Sequence, residues 1–474
     1  MRCRTATLID IFPNDVLLEI FDFYVIEERY VKRDIEAWQT LLHVCRQWRS
    51  VVFGSPRRLN LRLYCETEAQ TPLRDTLDVW PALPLIIQGS ANRPEKWDNI
   101  LAALERSGRV RRVYLMDISS WHLENVSTAM QRPFPELICL CLSSREVVTV
   151  VPDSAFGGTT PRLRSLDLHG IPFPGLPKLL LSANHLDFLS LTRIPHSGYF
   201  SPEALVTALS TLTCLDWLFL EFQSPQSLPD RESRRPPPLT RYVLPILRLL
   251  SFTGVSEYLE DLVARIDTPR LRFLDITLFN QIVFDTPQTI QFIRRTPALE
   301  GLEVARLAFQ DDIVMVSISS TNRELEVGIS CRELDWQVSS LEQVFTSILP
   351  PLSALKVLYI HENPDSPPDW KDNIENMLWL EVLLPFSSVE NLYLAEKFAQ
   401  YIAPVLQELA GGRTTEVLPA LKNIFLEGFP PFGPVHKGIV AFVAARELSH
   451  HPVTVSPWER DLDSETFSSS EEDN

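Results

Sequence analysis

One apolar triplet recurs through most of this 474-residue chain and restricts its fold more than any other feature. Its three positions are separated by two residues and then by one. It reads Val110/Val113/Leu115, Leu137/Leu140/Leu142, Leu163/Leu166/Leu168, Leu186/Leu189/Leu191, Leu215/Leu218/Leu220 and Leu247/Leu250/Phe252. It continues as Leu271/Leu274/Ile276, Leu299/Leu302/Val304, Leu355/Leu358/Ile360, Val389/Leu392/Leu394 and Leu421/Ile424/Leu426. Weaker copies lie at Leu59 to Leu63, at Leu85 to Ile87 and around Leu325 to Ile329. Six copies carry a proline two residues ahead of the first apolar position (Pro135, Pro161, Pro245, Pro269, Pro297, Pro419). The alternation inside a copy has the period of a strand. Segments between copies, such as 256–266, 286–295, 338–349 and 398–409, have helical spacing. A strand and a helix with one apolar face each cannot bury either face alone, and stacked neighbours are needed to close one core. The predicted fold is therefore an α/β solenoid, with parallel strands on its concave face and helices outside. A helical solenoid is the competing architecture, and the period-two alternation of Arg272 to Leu278 opposes it.

Composition removes several function classes. Only 16 glycines against 37 prolines argue against a glycine-cradled nucleotide site. A net charge of −17 opposes attraction to nucleic acid or an anionic membrane surface. No run approaches the 18 or so uncharged apolar residues that a bilayer span requires. Seven scattered cysteines do not make a disulfide scaffold, so an intracellular setting, cytoplasmic or nuclear, is expected.

The first sixty residues differ from the rest. Pro13-Asn14-Asp15 is a helix-start signature, followed at helical spacing by Val16, Leu17, Ile20, Phe21 and Tyr24. A second periodic run holds Trp38, Leu41, Leu42, Val44, Cys45, Trp48, Val51 and Val52. This is more apolar surface than a bundle of some 45 residues can bury alone, so something else should cover the surplus. The segment resembles an F-box, the helical motif that docks a protein onto the small Skp-type adaptor of cullin-RING ubiquitin ligases. The resemblance rests on Phe12-Pro13-Asn14-Asp15-Val16-Leu17-Leu18-Glu19-Ile20-Phe21 and on Val44-Cys45-Arg46-Gln47-Trp48, with a charged insertion at 26–36 between them. It implies adaptor contacts from Pro13, Leu17, Ile20, Val44, Cys45 and Trp48.

The triplets likewise resemble leucine-rich repeats, at the 23 to 34 residue spacing of strand-plus-helix units forming a horseshoe. The family's Asn or Cys after the last leucine is missing, and His169-Gly170 and Thr253-Gly254 stand in similar places. The expected organisation is an F-box over 1–57, a repeat solenoid over 58–447 with loop insertions at 224–240 and 363–372, and an acidic, disordered tail over 448–474. Serines in that tail precede acids as in sites of acid-directed kinases, but a solubilising role is the favoured reading.

In a parallel solenoid the residues between the leucines face the concave side. That rule names Tyr114, Phe188, Trp217, Phe219, Phe273, Asp275, Glu303, Tyr359, Tyr393 and Phe425 as a face for a protein target, rigid aromatic anchors among carboxylates. Loops or neighbouring units covering some of these aromatics is the plain alternative. Residues beyond 62 carry 34 basic and 53 acidic side chains, which favours a target with a basic segment. No phosphate loop, zincin motif, nucleophile elbow or dinucleotide fingerprint occurs, and Cys139-x-Cys141 lacks a second pair at zinc spacing. No catalytic residue, metal or cofactor is expected. The resemblance implies a non-catalytic substrate-recognition subunit of an SCF-type ubiquitin ligase. The alternative is an interaction module of the same build acting outside a ligase.

Overall fold

The fold was read from a computed structural model that describes residues 12–26, 37–55, 59, 62–66, 77, 83–90, 97–146, 148–225, 240–279, 286–331, 334–349, 352–363, 376–411, 413–428 and 432–460. The inserted loop after residue 26, most of both repeat insertions and the last fourteen residues lie outside these. The chain divides into two compact units, 1–215 and 216–474.

The first unit opens with three helices, α1 (Asn14–Ile26), α2 (Ala37–Val44) and α3 (Arg46–Gly54). Helix α1 begins where its sequence announces it, with the Leu17 amide donating to the Pro13 carbonyl at 3.1 Å. Cys45 caps α3, its sulfur accepting from the Trp48 amide at 3.4 Å. Leu17, Leu18, Phe21, Leu41, Leu42, Val51 and Val52 pack into one core, closed by Leu59 and Leu83 from further along the chain. Part of the surplus apolar face is thus covered from within the protein.

Six parallel strands follow: β1 (Leu63–Glu66), β2 (Leu85–Ser90), β3 (Val110–Met116), β4 (Cys139–Ser143), β5 (Ser165–His169) and β6 (Phe188–Ile194). Helices α4 (Trp97–Leu104), α5 (Ser120–Ala129), α6 (Leu176–Leu180) and α7 (Pro202–Leu209) lie between or after them. The last two positions of each triplet fall into register as ladders. Val113, Leu140, Leu166 and Leu189 form one, and Leu115, Leu142, Leu168 and Leu191 the next, all buried. The missing Asn ladder is replaced by main-chain steps, Ser144 N to His169 O and Gly170 N to Thr192 O, both 2.8 Å, and by Ser144 Oγ donating to Ile118 O at 2.6 Å. Gly170 takes φ 67°, and a Cβ there would meet Ser144 O at 2.3 Å. No other residue fits that step.

The second unit contains β7 (Trp217–Phe222), β8 (Tyr242–Val243), β9 (Leu249–Gly254), α8 (Ser256–Val263), β10 (Ile266–Asp267), β11 (Phe273–Phe279) and α9 (Pro287–Arg294). It continues with β12 (Val304–Phe309), β13 (Ile313–Ser320), β14 (Arg323–Ser330), α10 (Leu334–Ser347), β15 (Val357–Glu362) and α11 (Asn376–Leu383). It ends with β16 (Asn391–Leu394), α12 (Glu396–Leu409), β17 (Asn423–Glu427), α13 (Pro434–Leu448) and β18 (Thr454–Trp458). The main sheet runs β7-β9-β11-β14-β13-β12-β15-β16-β17-β18, with β8 and β10 paired apart.

Three expectations need correction here. The strands are not all parallel, because β13 lies antiparallel to both β12 and β14 and reverses the chain order locally. The triplet at Leu299/Leu302/Val304 is not the strand's inward set. Ala305, Leu307 and Phe309 are buried and Val304 faces the other side, because pairing with β13 and β15 starts at Val304. The chain does not become a free tail at 448, since β18 pairs in parallel with β17 through Trp458.

Besides their apolar faces, the helices of this unit are joined to their neighbours by a few buried polar groups. The Glu260 carboxylate accepts from the Gln288 and Thr289 amides at 2.8 and 2.7 Å, capping α9 from α8. Arg446, wholly buried, donates to the carbonyls of Thr414, Pro419 and Leu421 at 3.0, 3.2 and 2.9 Å. Burial of this guanidinium lowers its pKa. A Cβ at Gly438 would meet Ala403 O at 2.5 Å, so α13 lies on α12 at backbone contact.

Candidate functional site

Two surfaces stand out, one on each unit. On the first, the core of the three helices consumes part of the set expected to dock. Leu17 is 1% exposed, inside its own unit, and is withdrawn from the docking set. The Trp48 ring is half-buried and lies edge-on to Phe21, centroids 4.7 Å apart. What faces outward is Phe12 (44% exposed), Val16 (41%), Ile20 (44%) and Val44 (51%), with Pro13 exposed beside them and Cys45 half-buried. Phe12, Val16 and Ile20 follow one another at intervals of four, which places them along one side of α1 and its entry. Gln47 Nε2 donates to the Phe12 carbonyl at 3.3 Å, holding the start of α3 against the start of α1. Arg49 Nε and Nη2 both donate to the Leu42 carbonyl, at 3.0 and 2.9 Å, and join α3 to α2. Phe12 and Val16 were absent from the expected docking set, although the spacing of four that reveals them is in the sequence.

The second surface is the open face of the second unit's sheet. Its pairing carries one row of residues across all ten strands. The row runs Phe219, Ser251, Asp275, Glu326, Ser317, Arg306, Tyr359, Tyr393, Phe425 and Ser456. Five expected face residues (Phe219, Asp275, Tyr359, Tyr393 and Phe425) stand in it. Trp217 and Phe273 occupy the adjoining row with Glu324 and Ser319. Glu303 is misplaced in the expectation. It precedes β12, is exposed, and pairs with Lys356 at 3.1 Å. Tyr114 and Phe188 belong to the first unit, in neighbouring rows on β3 and β6, and are both half-buried.

The row on the second unit has two chemically distinct parts. Tyr359 stacks on Tyr393 with centroids 4.4 Å apart at 19°, and Tyr393 on Phe425 at 4.3 Å and 9°. Arg306 lies over Tyr359 at 5.1 Å and donates to Ser319 Oγ at 2.9 Å. Trp458 comes within 5.4 Å of the Tyr393 ring. Arg460 follows it and binds His361 Nδ1 and the Glu362 carbonyl, each at 2.7 Å. Stacking of parallel rungs follows from the strand spacing of about 4.8 Å, which sets equivalent side chains close to ring-contact distance.

The other part is acidic. Asp275 and Glu326 stand opposite each other on paired strands, and Glu324 is two residues away on the same face. Ser251 Oγ donates to Asp275 Oδ2 at 2.7 Å and Ser317 Oγ to Glu324 Oε1. Glu326 makes no hydrogen bond among the described residues. Burial, then the neighbouring charges of Asp275 and Glu324, pushes its carboxyl up to about 8. Burial also raises Asp275, against the Ser251 hydrogen bond that lowers it. Arg306, Glu324, Glu326 and Trp458 were all missed in the sequence, because the triplet at 299–304 sets β12 out of phase, β14 carries only a weak copy and β18 carries none.

In the first unit, burial and then the charge of Asp167 push the Cys141 thiol up to about 12, so it is no nucleophile at neutral pH. Burial likewise pushes the Tyr114 hydroxyl up to about 12. Among the described residues no group of three or more His, Cys, Asp or Glu side chains is arranged to hold a metal ion. No described helix is long and apolar enough to cross a membrane.

No family of known proteins matches the sequence, and no curated protein does. Among solved structures, the leucine-rich repeat-containing protein LegL7 from Legionella pneumophila matches over 81% of this chain and 97% of its own, at 12% identity and a TM-score of 0.29. The Rad7 and Elc1 complex in yeast matches over 88% of each chain, at 13% identity and a TM-score of 0.27. At such scores neither likeness carries an argument about function. The solenoid-like build rests on the registered strands themselves.

Proposed function

We propose that the chain is a non-catalytic substrate-recognition subunit of a ubiquitin ligase. Its helical N-terminus docks a Skp-type adaptor, and the open face of its repeat sheet holds a protein target. The observation that carries the first half is the outward strip of Phe12, Val16, Ile20 and Val44 on a unit whose own core is already closed. Covering the exposed parts of these four side chains removes roughly 300 Å² of apolar surface from water, about 7 kcal/mol before the cost of association. The F-box resemblance of these same segments names the occupant. The sheet face supports the second half through its rigid aromatic rungs beside carboxylates, the composition of a recognition surface. The ligase then works by proximity, holding target lysines near a ubiquitin-charged enzyme, and no residue here performs bond chemistry.

The test is capture of purified Skp-type adaptor by the full-length chain, with and without Val16→Glu and Ile20→Glu. Both positions are exposed, so the double variant retains the fold, which circular dichroism checks. Capture lost only in the variant supports the reading. Equal capture by both proteins, or by neither, removes it. Cullin recovered with the adaptor separates a ligase subunit from a module that uses the adaptor alone.

A further inference from the structure

The acidic part of the row is built at a disadvantage. Two carboxylates directly opposite each other on adjacent strands repel, and like charges in cross-strand pairs destabilise a sheet. Here Asp275 faces Glu326, Glu324 adds a third charge on the same side, and no lysine or arginine pairs with any of them among the described ion pairs. The two serines satisfy only Asp275 and Glu324. Glu326 is half-buried in the sheet face and makes no hydrogen bond among the described residues, although carboxylates held partly away from water are ordinarily paired. Arg306, the cation in the same row, is turned toward Tyr359 and Ser319 instead.

We propose that this is the pocket for a basic side chain of the target, an arginine or lysine carried on an extended segment that lies across the strands. This rests on the reading of the open face as the target-binding face and specifies what that face selects. The same row supplies the rest of the site. From Glu326 the strands β13, β12 and β15 lead to Tyr359, three spacings of about 4.8 Å, or close to 14 Å. An extended chain covers that distance in about four residues. A segment with its basic residue between Asp275 and Glu326 therefore places a residue about four positions away on the Tyr359, Tyr393 and Phe425 rungs, where an aromatic or aliphatic side chain stacks. A guanidinium fits the acidic part best, since it presents paired donors to two facing carboxylates. The strongly acidic balance of the chain beyond residue 62 steers such a segment in and disfavours acidic ones.

The test is selection of a displayed library of random twelve-residue peptides on the full-length chain. Recovered peptides are then synthesised with their basic residue kept or replaced by glutamine, and titrated by fluorescence anisotropy. The expected result is enrichment of one arginine or lysine three to five residues from an aromatic or aliphatic residue. At pH 9, where Glu326 is ionised, replacing the basic residue should weaken binding at least tenfold on the native protein, and E326Q should weaken it similarly. Tyr393→Ala should weaken the same peptides without changing the preference for a basic residue. Enriched peptides without a basic residue, no enrichment at all, or affinity indifferent to the glutamine replacement would overturn the proposal. The peptide arm needs no protein variant, so a misfolded mutant cannot obscure it. Adaptor capture by the same preparation reports separately on the ligase reading, which can fail while this one stands.

Discussion

Replacing Glu326 by Gln should stabilise the protein at alkaline pH, and the size of the effect follows from its surroundings. Its carboxyl moves from an ordinary 4.5 to about 8 in the folded chain, first by burial and then by Asp275 and Glu324. The folded state therefore holds a proton that the unfolded chain releases above pH 4.5. Stability falls as pH rises wherever the native state binds more protons, so the loss runs from about pH 4.5 to pH 8 and is complete above it. At 1.36 kcal/mol per unit the ceiling is about 5 kcal/mol. Glutamine keeps the shape, cannot ionise and removes this slope. Urea midpoints for both proteins, taken from pH 5 to pH 9 at constant ionic strength, read the difference directly. The variant should gain on the native protein with each unit of pH up to about 8, then level off, and lead by several kcal/mol at pH 9. A difference that stays flat across this range would show Glu326 ionised throughout and would refute the account of a crowded acidic pocket. A stabilising substitution that also abolishes capture of basic peptides would be hard to assign to structure alone.

Other substitutions separate core from surface. Leu17→Ala should cost about 2–5 kcal/mol of unfolding free energy and Val16→Ala well under 1, because only the first is enclosed; thermal melts distinguish them. Tyr393→Ala removes two stacked contacts and should lower stability by about 1–3 kcal/mol, read from urea midpoints. Arg446→Leu strands three carbonyls and should cost roughly 3 kcal/mol or more, with the 414–421 segment losing its hydrogen-exchange protection first.

Much of this fold was legible because a strand buried on one side writes its period into the sequence. The triplets at 137, 163 and 186 predict ladders that the register confirms residue by residue. The same rule failed where a different strand type replaced the repeat. Strands β13 and β14 also bury alternate residues, with Val314, Val316 and Ile318 facing Ile329, Val327 and Leu325, yet β13 has no leucine and β14 has one only at Leu325. Their turn, Thr321-Asn322, lacks the usual glycine, and Asn322 supplies the positive φ of 59°. Missing that hairpin hid Glu324 and Glu326 and put Val304 on the wrong side. Strand β18 was missed for the opposite reason. Val455 has apolar character, but Pro457 and the polar residues around it look like a tail until β17 offers an edge to pair with. On α1, helical spacing alone could not divide the apolar residues between inside and outside. Leu17 turns into the core that α1 shares with α2, α3, Leu59 and Leu83, leaving Val16 to the surface.

The central claim is that the strip on the first helices is where another protein sits. Hydrogen exchange of the full-length chain, with and without saturating Skp-type adaptor, tests it most directly. The account predicts slowed exchange over 12–20 and 44–48, with the sheet strands of the second unit unchanged. Protection confined to those strands, or no protection anywhere at saturation, would contradict it.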